Sequence, residues 1–425
     1  MENIDRKYKL WRIKIFAVTW ITYAGFYLCR KNFAVVKSPL KTEFGFDNLQ
    51  LGLIDTAYLT TYAIGAFLNG VLGDRFGAKV TVGVGLVVVV ITNYLFGYGS
   101  VLGFLMMLYG INGYAQATGW PGLVKTMANW FSVHERGIVM GWWGSCFEIG
   151  SAIATAVATW SLAHWGWRYS FFVPALLLTG ITLLFFIFQK DHPEDVGLPD
   201  IETYRREDKN ILEEKNGRLP FKTVLRDVLS SSTVWICGAS YFCLKLVRYA
   251  LMFWLPLYMV ERLGYKPDQA GYHSIIVEVG GFLGGLVAGY VSDKLFDSRR
   301  GPIAALMLFG LGLSIYAHTY LTLMGPLMNA VGMALVGFMI YGPDSILTGA
   351  AAMDFGTKEG ASTAAGFING MGSTGAALQG LIVGYVSQKF GWNYLFYLFI
   401  GLSFIAGSLT SLLWNVEAPH KKVNP

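Results

Sequence analysis

Long apolar segments, each about the length of one membrane crossing, follow one another along almost the whole chain. A helix needs about 20 predominantly apolar residues to cross a bilayer, and charged residues, glycines and prolines mark where these segments end. We predict twelve spanning helices, at residues 12–36, 49–72, 79–98, 101–128, 136–162, 169–189, 233–259, 269–292, 302–319, 322–346, 361–387 and 391–414. The longest polar stretch lies between the sixth and the seventh helix.

The chain is therefore predicted to consist of an N-terminal half of six helices (1–189), a middle loop (190–232) and a C-terminal half of six helices (233–425). The halves repeat short sequences in the same order, about 220 residues apart: YAGFYLCR and YFCLKLVR, GVLGDR and GYVSDK, GWRYSF and GWNYLF. Halves in the same orientation imply a pseudo-two-fold axis along the membrane normal, which in transporters places the substrate between the halves near the bilayer midplane. We predict an all-α membrane protein of two pseudo-symmetric halves.

The composition agrees with a membrane protein. Of the 425 residues, 54% are hydrophobic and 14% are charged, whereas soluble domains carry about 25% charged residues, which excludes a soluble enzyme. Lysine and arginine concentrate in both termini, the middle loop and the loops that follow even-numbered helices, so these are predicted to be cytoplasmic. The net charge of +6 is thus a topology signal and indicates no nucleic-acid partner.

Two arginines, Arg30 and Arg248, occupy equivalent places on the first and seventh predicted helices. A charge inside a span costs about 2.5–3.5 kcal/mol on insertion scales, so it persists where it faces water, a partner or a ligand. The guanidinium group matches phosphate oxygens bidentately and stays protonated. Two arginines facing one cavity would clamp a dianion. The alternative is that they form salt bridges with the intramembrane acids Glu148, Glu278 and Asp344.

Two lysines accompany the arginines. Lys245 precedes Arg248 by three residues and lies on a similar helical face, which makes it a candidate second cationic contact. Lys31 follows Arg30 directly and therefore points about 100° away around the helix. We expect Lys31 to pair with an acid or to extend towards the membrane surface.

Aromatic residues share the face of Arg30. Tyr23 and Tyr27 lie seven and three residues before it, and Tyr241 repeats Tyr23 in the second half. Their hydroxyl groups are candidate donors to phosphate or sugar oxygens. Trp120, in the sequence GWPG of the fourth helix, is a candidate for stacking on a sugar ring. Packing between helices is the alternative for each.

Glu148 and Glu278 are the acids that need separate interpretations. Glu148 is a candidate proton-coupling carboxyl group, an acceptor for sugar hydroxyls or a protonated packing residue, whereas Glu278 is expected to pair with Lys245 or Arg248. The chain contains no Walker A motif, no HExxH and no paired Cys/His spacing. We therefore expect no metal, no cofactor and no enzymatic activity, and pumping driven by ATP is not indicated.

The sequence GVLGDRFGAK resembles the loop motif of the major facilitator superfamily, which implies that Asp74 and Arg75 hold helix ends on the cytoplasmic side. Asp293 and Lys294 repeat this pair in the second half. With Glu278 they are the expected gating or structural residues. The motif indicates fold and gating and carries no information on the substrate.

The stretches FYLCRKNFA, GWPGLVKTMANWFSVHERG, VEVGGFLGGLVAGYVSDK and IYGPDSILTGAA resemble the organophosphate:phosphate antiporter family. Members of that family exchange sugar phosphates or glycerol 3-phosphate for inorganic phosphate. The resemblance runs from about Lys9 to Ala418, and the C-terminal half is most similar to the sugar-phosphate exchangers that include glucose-6-phosphate transporters. It implies a major facilitator fold with two ligand-binding arginines, Arg30 and Arg248, and a cavity lined by Tyr23, Tyr27, Trp120 and Tyr341.

The sequence also departs from the family pattern. Ala66 stands where glycerol-phosphate members have a lysine, Phe147 where they have a histidine, and Ser373 where the family has a tyrosine on the eleventh helix. Loss of the lysine and histidine disfavours glycerol 3-phosphate. A sugar phosphate, such as glucose 6-phosphate, or another organophosphate is the expected substrate.

The leading hypothesis is a monomeric antiporter of a bacterial inner membrane that exchanges a sugar phosphate for inorganic phosphate and needs no partner besides the lipid bilayer. The short loop between the first two helices favours a bacterial membrane over an organelle. One alternative is a membrane sensor of sugar phosphate that signals to a kinase through the middle loop. The other is a proton-coupled symporter of an organic anion in which Glu148 or Glu278 titrates.

Overall fold

The computed structural model describes residues 2–205, 221–296, 299–350 and 358–415, and the regular structure within them is helical. The helices of the N-terminal part are α1 (Glu2–Phe44), α2 (Asn48–Phe76), α3 (Ala78–Tyr98), α4 (Leu102–Gln116), α5 (Gly119–Trp130), α6 (Val133–Gly144), α7 (Cys146–Trp165) and α8 (Tyr169–Phe188). A 3₁₀ turn (Pro193–Val196), α9 (Ile201–Arg205) and α10 (Phe221–Ser230) follow. The remaining helices are α11 (Ser232–Leu263), α12 (Pro267–Leu295), α13 (Arg300–Leu321), α14 (Pro326–Ala350), α15 (Lys358–Lys389) and α16 (Trp392–Ser411), with a 3₁₀ turn at Thr322–Met324.

The described helices account for every predicted span. Eight described segments are both long and apolar enough to cross a membrane; seven are the single helices α3, α8, α11, α12, α13, α14 and α16, and one is formed by α6 together with α7. The first, second, fourth and eleventh predicted spans correspond to α1, α2, α4 with α5, and α15, which carry more polar residues. The prediction of an all-α, twelve-span architecture is confirmed.

Some helix boundaries differ from the predicted ones. The first helix, predicted at 12–36, runs from Glu2 to Phe44, because the apolar criterion stops at the first charges whereas the helix continues through them. The fourth predicted span is interrupted between α4 and α5. Pro121 is the third residue of α5, in a first turn whose N–H groups have no intrahelical acceptor in any case, so the missing N–H costs little there.

The internal repeat is visible in the backbone. Gly166 and Gly391 end one helix and precede the next in the repeated sequences GWRYSF and GWNYLF. Their φ/ψ angles are 91°/172° and 87°/170°, respectively, a region that is open to glycine and closed to side chains with a Cβ. A glycine with the same backbone conformation therefore forms the tight turn before the sixth helix of each half.

The chain forms two compact units. The first comprises Met1–Leu40 and Ala57–Gly217, and the second comprises Lys41–Thr56 and Arg218–Pro425. Within the first unit, α3 packs against α4 and α8, and α7 packs against α8. Within the second unit, α12 packs against α14, α11 against α15 and α16, and α13 against α14 and α16.

Glycines allow α12 and α14 to approach each other closely. A Cβ added at Gly280 or Gly284 would overlap backbone atoms of Ala334 or Phe338, and one added at Gly337 would overlap the backbone of Val277. Close backbone approach through small residues is a principal source of helix association in membranes, where lipid removes most of the hydrophobic driving force. The α12–α14 pair is thus stabilised by backbone contact on both sides.

An ion-pair cluster outside the spans ties the middle loop to the first unit. Glu135, at the start of α6, forms ion pairs with Arg12 of α1 and with Arg205 of α9, the latter at 3.0 Å. It also accepts the backbone N–H of Ser132 at 3.2 Å, completing a capping box. Burial by itself would raise the pKa of Glu135, but the hydrogen bonds from Arg12 and Ser132 and the two positive charges outweigh it and lower that pKa.

The lowered pKa of Glu135 predicts a pH-dependent contribution to stability. A carboxyl group with a depressed folded-state pKa stabilises the fold above its unfolded pKa of about 4.3 and loses that effect as the pH falls through the folded value. We expect Glu135→Gln to lower the Tm by about 2 °C at pH 7, because partly exposed ion pairs contribute little.

The check is a comparison of Tm for the wild type and Glu135→Gln in detergent between pH 7 and pH 3.5, with the exposed Asp227→Asn as the control. The difference between wild type and Glu135→Gln should shrink at the acidic end. A difference that stays constant over this range would contradict the electrostatic origin of the effect.

Candidate functional site

A kink in α1 positions Arg30. Cys29 has φ −101° and ψ 17°, outside the helical values of its neighbours. Two side chains of α4 bond to the backbone at this point: the Gln116 amide donates to the Cys29 carbonyl at 3.1 Å, and the Tyr109 hydroxyl donates to the Arg30 carbonyl at 2.8 Å. Side chains that insert into the helical hydrogen-bond ladder are a known cause of kinks. The bend in α1 is therefore fixed by α4.

The guanidinium group of Arg30 lies in a neutral, aromatic setting. Its residue is 3% exposed, its Nε donates to Gln116 Oε1 at 2.8 Å, and its Cζ lies 4.6 Å from the ring centroid of Tyr27 and 5.0 Å from that of Tyr62. Cation–π contacts of this kind stabilise a desolvated cation only in part. Within the described part of the chain, Nη2 of Arg30 has no hydrogen-bond partner. A buried cationic donor without an acceptor is suited to an anionic ligand.

Tyr23 lies between Tyr27 and a cluster of three further aromatic side chains. The Tyr23 ring centroid lies 6.1 Å from that of Tyr27, 5.5 Å from Trp120, 5.2 Å from Phe147 and 5.6 Å from Trp143. Tyr23 is 3% exposed, whereas Trp120 is 39% exposed. Trp120 is thus the most exposed ring of this cluster.

Glu148 lies directly after Phe147, in the first turn of α7, and is half-buried. The N-terminal end of a helix carries partial positive charge, which favours a carboxylate there. The break between α6 and α7 at Ser145 creates this helix terminus in the middle of the predicted fifth span.

In the second unit, Arg248 of α11 has a carboxylate partner. It forms an ion pair with Asp344 of α14, and its Cζ lies 4.3 Å from the ring centroid of Tyr341. The side chains of Arg248 and Asp344 are 16% and 17% exposed, respectively. Nε of Arg248 is buried and has no hydrogen-bond partner among the described residues. Arg248 therefore also retains a donor for an anion.

The remaining candidate residues of the second unit lie on α11, α12 and α14. Tyr341 donates a hydrogen bond to Glu278, which is 3% exposed. Of the two cations predicted to pair with Glu278, Arg248 pairs instead with Asp344, which lies one helical turn beyond Tyr341 on α14. The predicted pairing of Glu278 with Lys245 stays a prediction. Lys245 donates to Asn369 at 3.0 Å and lies 4.8 Å from the ring centroid of Tyr241.

The loop-motif residues are described only in part. The side chains of Asp74 and Asp293 lie outside those that the structure describes. Arg75 is exposed, with its guanidinium 5.2 Å from the ring centroid of Phe76, and Lys294 is exposed. Their predicted gating role stays a prediction.

Sequence reasoning missed three polar partners of the candidate site: Gln116, Tyr62 and Asn369. Gln116 is a polar residue in an otherwise apolar helix, and this is the signal that would have found it in the sequence NGYAQATGW. Tyr62 and Asn369 offer no such signal, because tyrosine is common throughout this chain and Asn369 lies in a helix rich in small polar residues.

The helical architecture agrees with what the comparisons with known proteins found. The family model of the Major Facilitator Superfamily matches residues 19–380. The chain belongs to that superfamily. Within it, the similarities place the chain in the organophosphate:phosphate antiporter family, as the sequence motifs predicted.

Three relatives match over nearly their whole length. The chain is 33% identical to the glycerol-3-phosphate transporter of Bacillus subtilis, covering 97% of this chain and 94% of the relative. It is 31% identical to a probable hexose phosphate transport protein of Chlamydia trachomatis, with 98% and 94% covered. It is 30% identical to the membrane sensor protein UhpC of Escherichia coli, with 99% and 96% covered.

Solved structures support the same fold. A bacterial homologue of the human lysosomal transporter Spinster, in an inward-facing and unoccupied conformation, superposes with a TM-score of 0.72 at 14% identity. The superposition covers 95% of each chain. At this identity the similarity establishes the major facilitator fold and nothing about the substrate.

Proposed function

We propose that this protein is a secondary transporter that exchanges a sugar phosphate, such as a hexose phosphate, for inorganic phosphate by alternating access. The observation that carries the proposal is the buried Arg30 guanidinium, whose Nη2 has no acceptor among the described residues. Phosphate oxygens are its best-matched acceptors, because a guanidinium binds them in a bidentate, charge-assisted arrangement. The curated relatives include transporters of glycerol 3-phosphate and hexose phosphate.

The aromatic cluster supports a sugar rather than a three-carbon substrate. Trp120 presents an exposed ring beside Tyr23 and Phe147, with a Trp120–Phe147 centroid distance of 5.0 Å. Rings of this kind stack on the apolar face of a sugar. The resemblance to the antiporter family implies a histidine in place of Phe147 in glycerol-phosphate members, so the aromatic replacement favours the larger ligand.

The binding residues proposed in the second half are Arg248, Tyr341, Lys245 and Tyr241. The internal repeat relates Arg248 to Arg30, so the two arginines are proposed to serve the same ligand chemistry. Each is suited to a phosphate monoester, which carries a charge of about −1.5 to −2.

Exchange follows from the charge of the empty site. Closing the protein around an unoccupied site would cut the buried Arg30 cation off from water on both sides of the membrane without a counter-charge, which is costly in a membrane interior. A bound phosphate removes that cost, so the protein reorients while an anion is bound. Each substrate taken up would then require phosphate to leave.

We place the protein in a bacterial inner membrane as a monomer, with both termini in the cytoplasm.

The test is counterflow in liposomes that contain the purified protein and are loaded with phosphate. We expect labelled phosphate to enter, glucose 6-phosphate to compete more strongly than glycerol 3-phosphate, and unphosphorylated glucose to have no effect. Liposomes without internal phosphate are the control and should show no uptake.

Two other results would contradict the exchanger. Tight binding of glucose 6-phosphate without any exchange would support a sensor, a function named for the relative UhpC, to which the chain is 30% identical. Uptake that follows a proton gradient and does not need internal phosphate would support a symporter in which Glu148 titrates.

A further inference from the structure

Arg30 and Arg248 have similar surroundings, but their hydrogen-bond partners differ in charge. Each bonds to a side chain from the fourth predicted span of its own half: Arg30 to Gln116 of α4, and Arg248 to Asp344 of α14. Each also lies over tyrosine rings, at 4.6 Å from Tyr27 and 4.3 Å from Tyr341, respectively. The difference is one of charge, because a neutral amide holds the first arginine and a carboxylate holds the second.

This difference has a direct consequence for anion binding. A carboxylate and a phosphate both neutralise a guanidinium group through charge-assisted hydrogen bonds, so a carboxylate that is already bound weakens the attraction for a phosphate. Both arginines keep one buried nitrogen without a partner among the described residues, Nη2 of Arg30 and Nε of Arg248. Gln116 leaves the charge of Arg30 uncompensated, whereas Asp344 on Nη1 neutralises the charge of Arg248.

Tyr241 lies close enough to Asp344 for the two side chains to interact electrostatically. A carboxylate that loses its arginine in a buried setting needs another donor, since an unpaired buried charge is strongly disfavoured. The Tyr241 hydroxyl is the candidate donor to Asp344 when that carboxylate leaves Arg248.

We propose that Asp344 is a resident anion of Arg248 that the substrate phosphate displaces, and that it sets the affinity of the site and the speed of phosphate release. This inference rests on the proposed exchange of phosphates. Phosphate reaches the Arg248 guanidinium when Asp344 leaves it, and the return of Asp344 to Arg248 helps to expel the phosphate.

The first test is Asp344→Asn, which keeps the size of the side chain and removes its charge. If Asp344 occupies Arg248 for about nine-tenths of the time, the half-saturating phosphate concentration should fall about tenfold in the variant. The maximal exchange rate should fall as well, because phosphate then leaves more slowly. The exposed Asp227→Asn is the matched control and should leave both values unchanged.

A purely structural role for Asp344 predicts the opposite pattern. Loss of a structural ion pair would leave the half-saturating concentration unchanged or raise it, and either result would overturn the proposal. The measurement is the dependence of counterflow rate on inorganic phosphate concentration at constant pH.

The converse variant tests the same idea without touching Asp344. Gln116→Glu would give Arg30 a carboxylate of its own and should raise the half-saturating phosphate concentration about tenfold. It also covers the case in which Asp344→Asn fails to fold. An unchanged phosphate dependence in Gln116→Glu would count against competition by an internal carboxylate.

Binding measured in detergent separates this inference from the proposed function. The wild type and Asp344→Asn are titrated with inorganic phosphate, and the rise in Tm is followed. If the wild type does not exchange phosphate but Asp344→Asn still binds it more tightly, the exchanger is wrong and the resident anion stands. If the wild type exchanges and Asp344→Asn binds no more tightly, the resident anion is wrong and the exchanger stands.

Discussion

Replacing Arg30 with lysine is expected to reduce phosphate counterflow about a hundredfold or more, because two charge-assisted hydrogen bonds to phosphate are lost. Lysine keeps the positive charge but not the planar fork, so it cannot bond to Gln116 through Nε and also present Nη2 to a ligand. The expected loss of counterflow therefore comes from the changed hydrogen-bond geometry, because the positive charge is unchanged.

The matched control is Arg226→Lys, an equivalent change at an exposed position of helix α10. Both variants are compared with the wild type by size-exclusion profile and Tm before transport is measured, so that a folding defect is recognised. Arg30→Lys with more than a third of the wild-type exchange rate would contradict the assignment of Arg30 to phosphate.

Replacing Gly284 with valine is expected to destabilise the second unit strongly. The added side chain would overlap the backbone of Phe338 on α14, and backbone atoms cannot move aside as a side chain does. Overpacking typically costs about 1–3 kcal/mol. We expect a loss at or above the top of that range, seen as a fall in Tm of roughly 5 °C or more or as absence of a folded peak.

The neighbouring Gly285→Val is the control, because a Cβ at Gly285 meets no atom within 4 Å. Both variants add the same side chain to the same helix, one residue apart. A similar loss in both would indicate a general intolerance of α12 to valine rather than the close approach of α12 and α14.

The twelve spans, the six-plus-six repeat and the two candidate arginines could be predicted from the sequence. Span prediction depends on the free energy of placing each segment in lipid, which is set by local composition. The repeat is a property of the sequence itself, and it singled out Arg30 and Arg248 as equivalent positions. The helix ends and breaks were less accessible, since the extension of α1 to Phe44 and the breaks before α5 and α7 do not alter the apolar content of the segments.

The partners of the arginines depended on the tertiary structure. Gln116 is 86 residues from Arg30 and Asp344 is 96 residues from Arg248, and no local pattern relates positions so far apart. The partner of each buried charged residue depends on which helices pack together. In the packing of α11, α12 and α14, Arg248 forms an ion pair with Asp344, and Glu278 accepts a hydrogen bond from Tyr341. The sequence by itself thus determined which membrane-spanning segments carry charged residues. The packing of helices that are distant in sequence decided whether each charge is neutralised by another side chain or is available to a ligand.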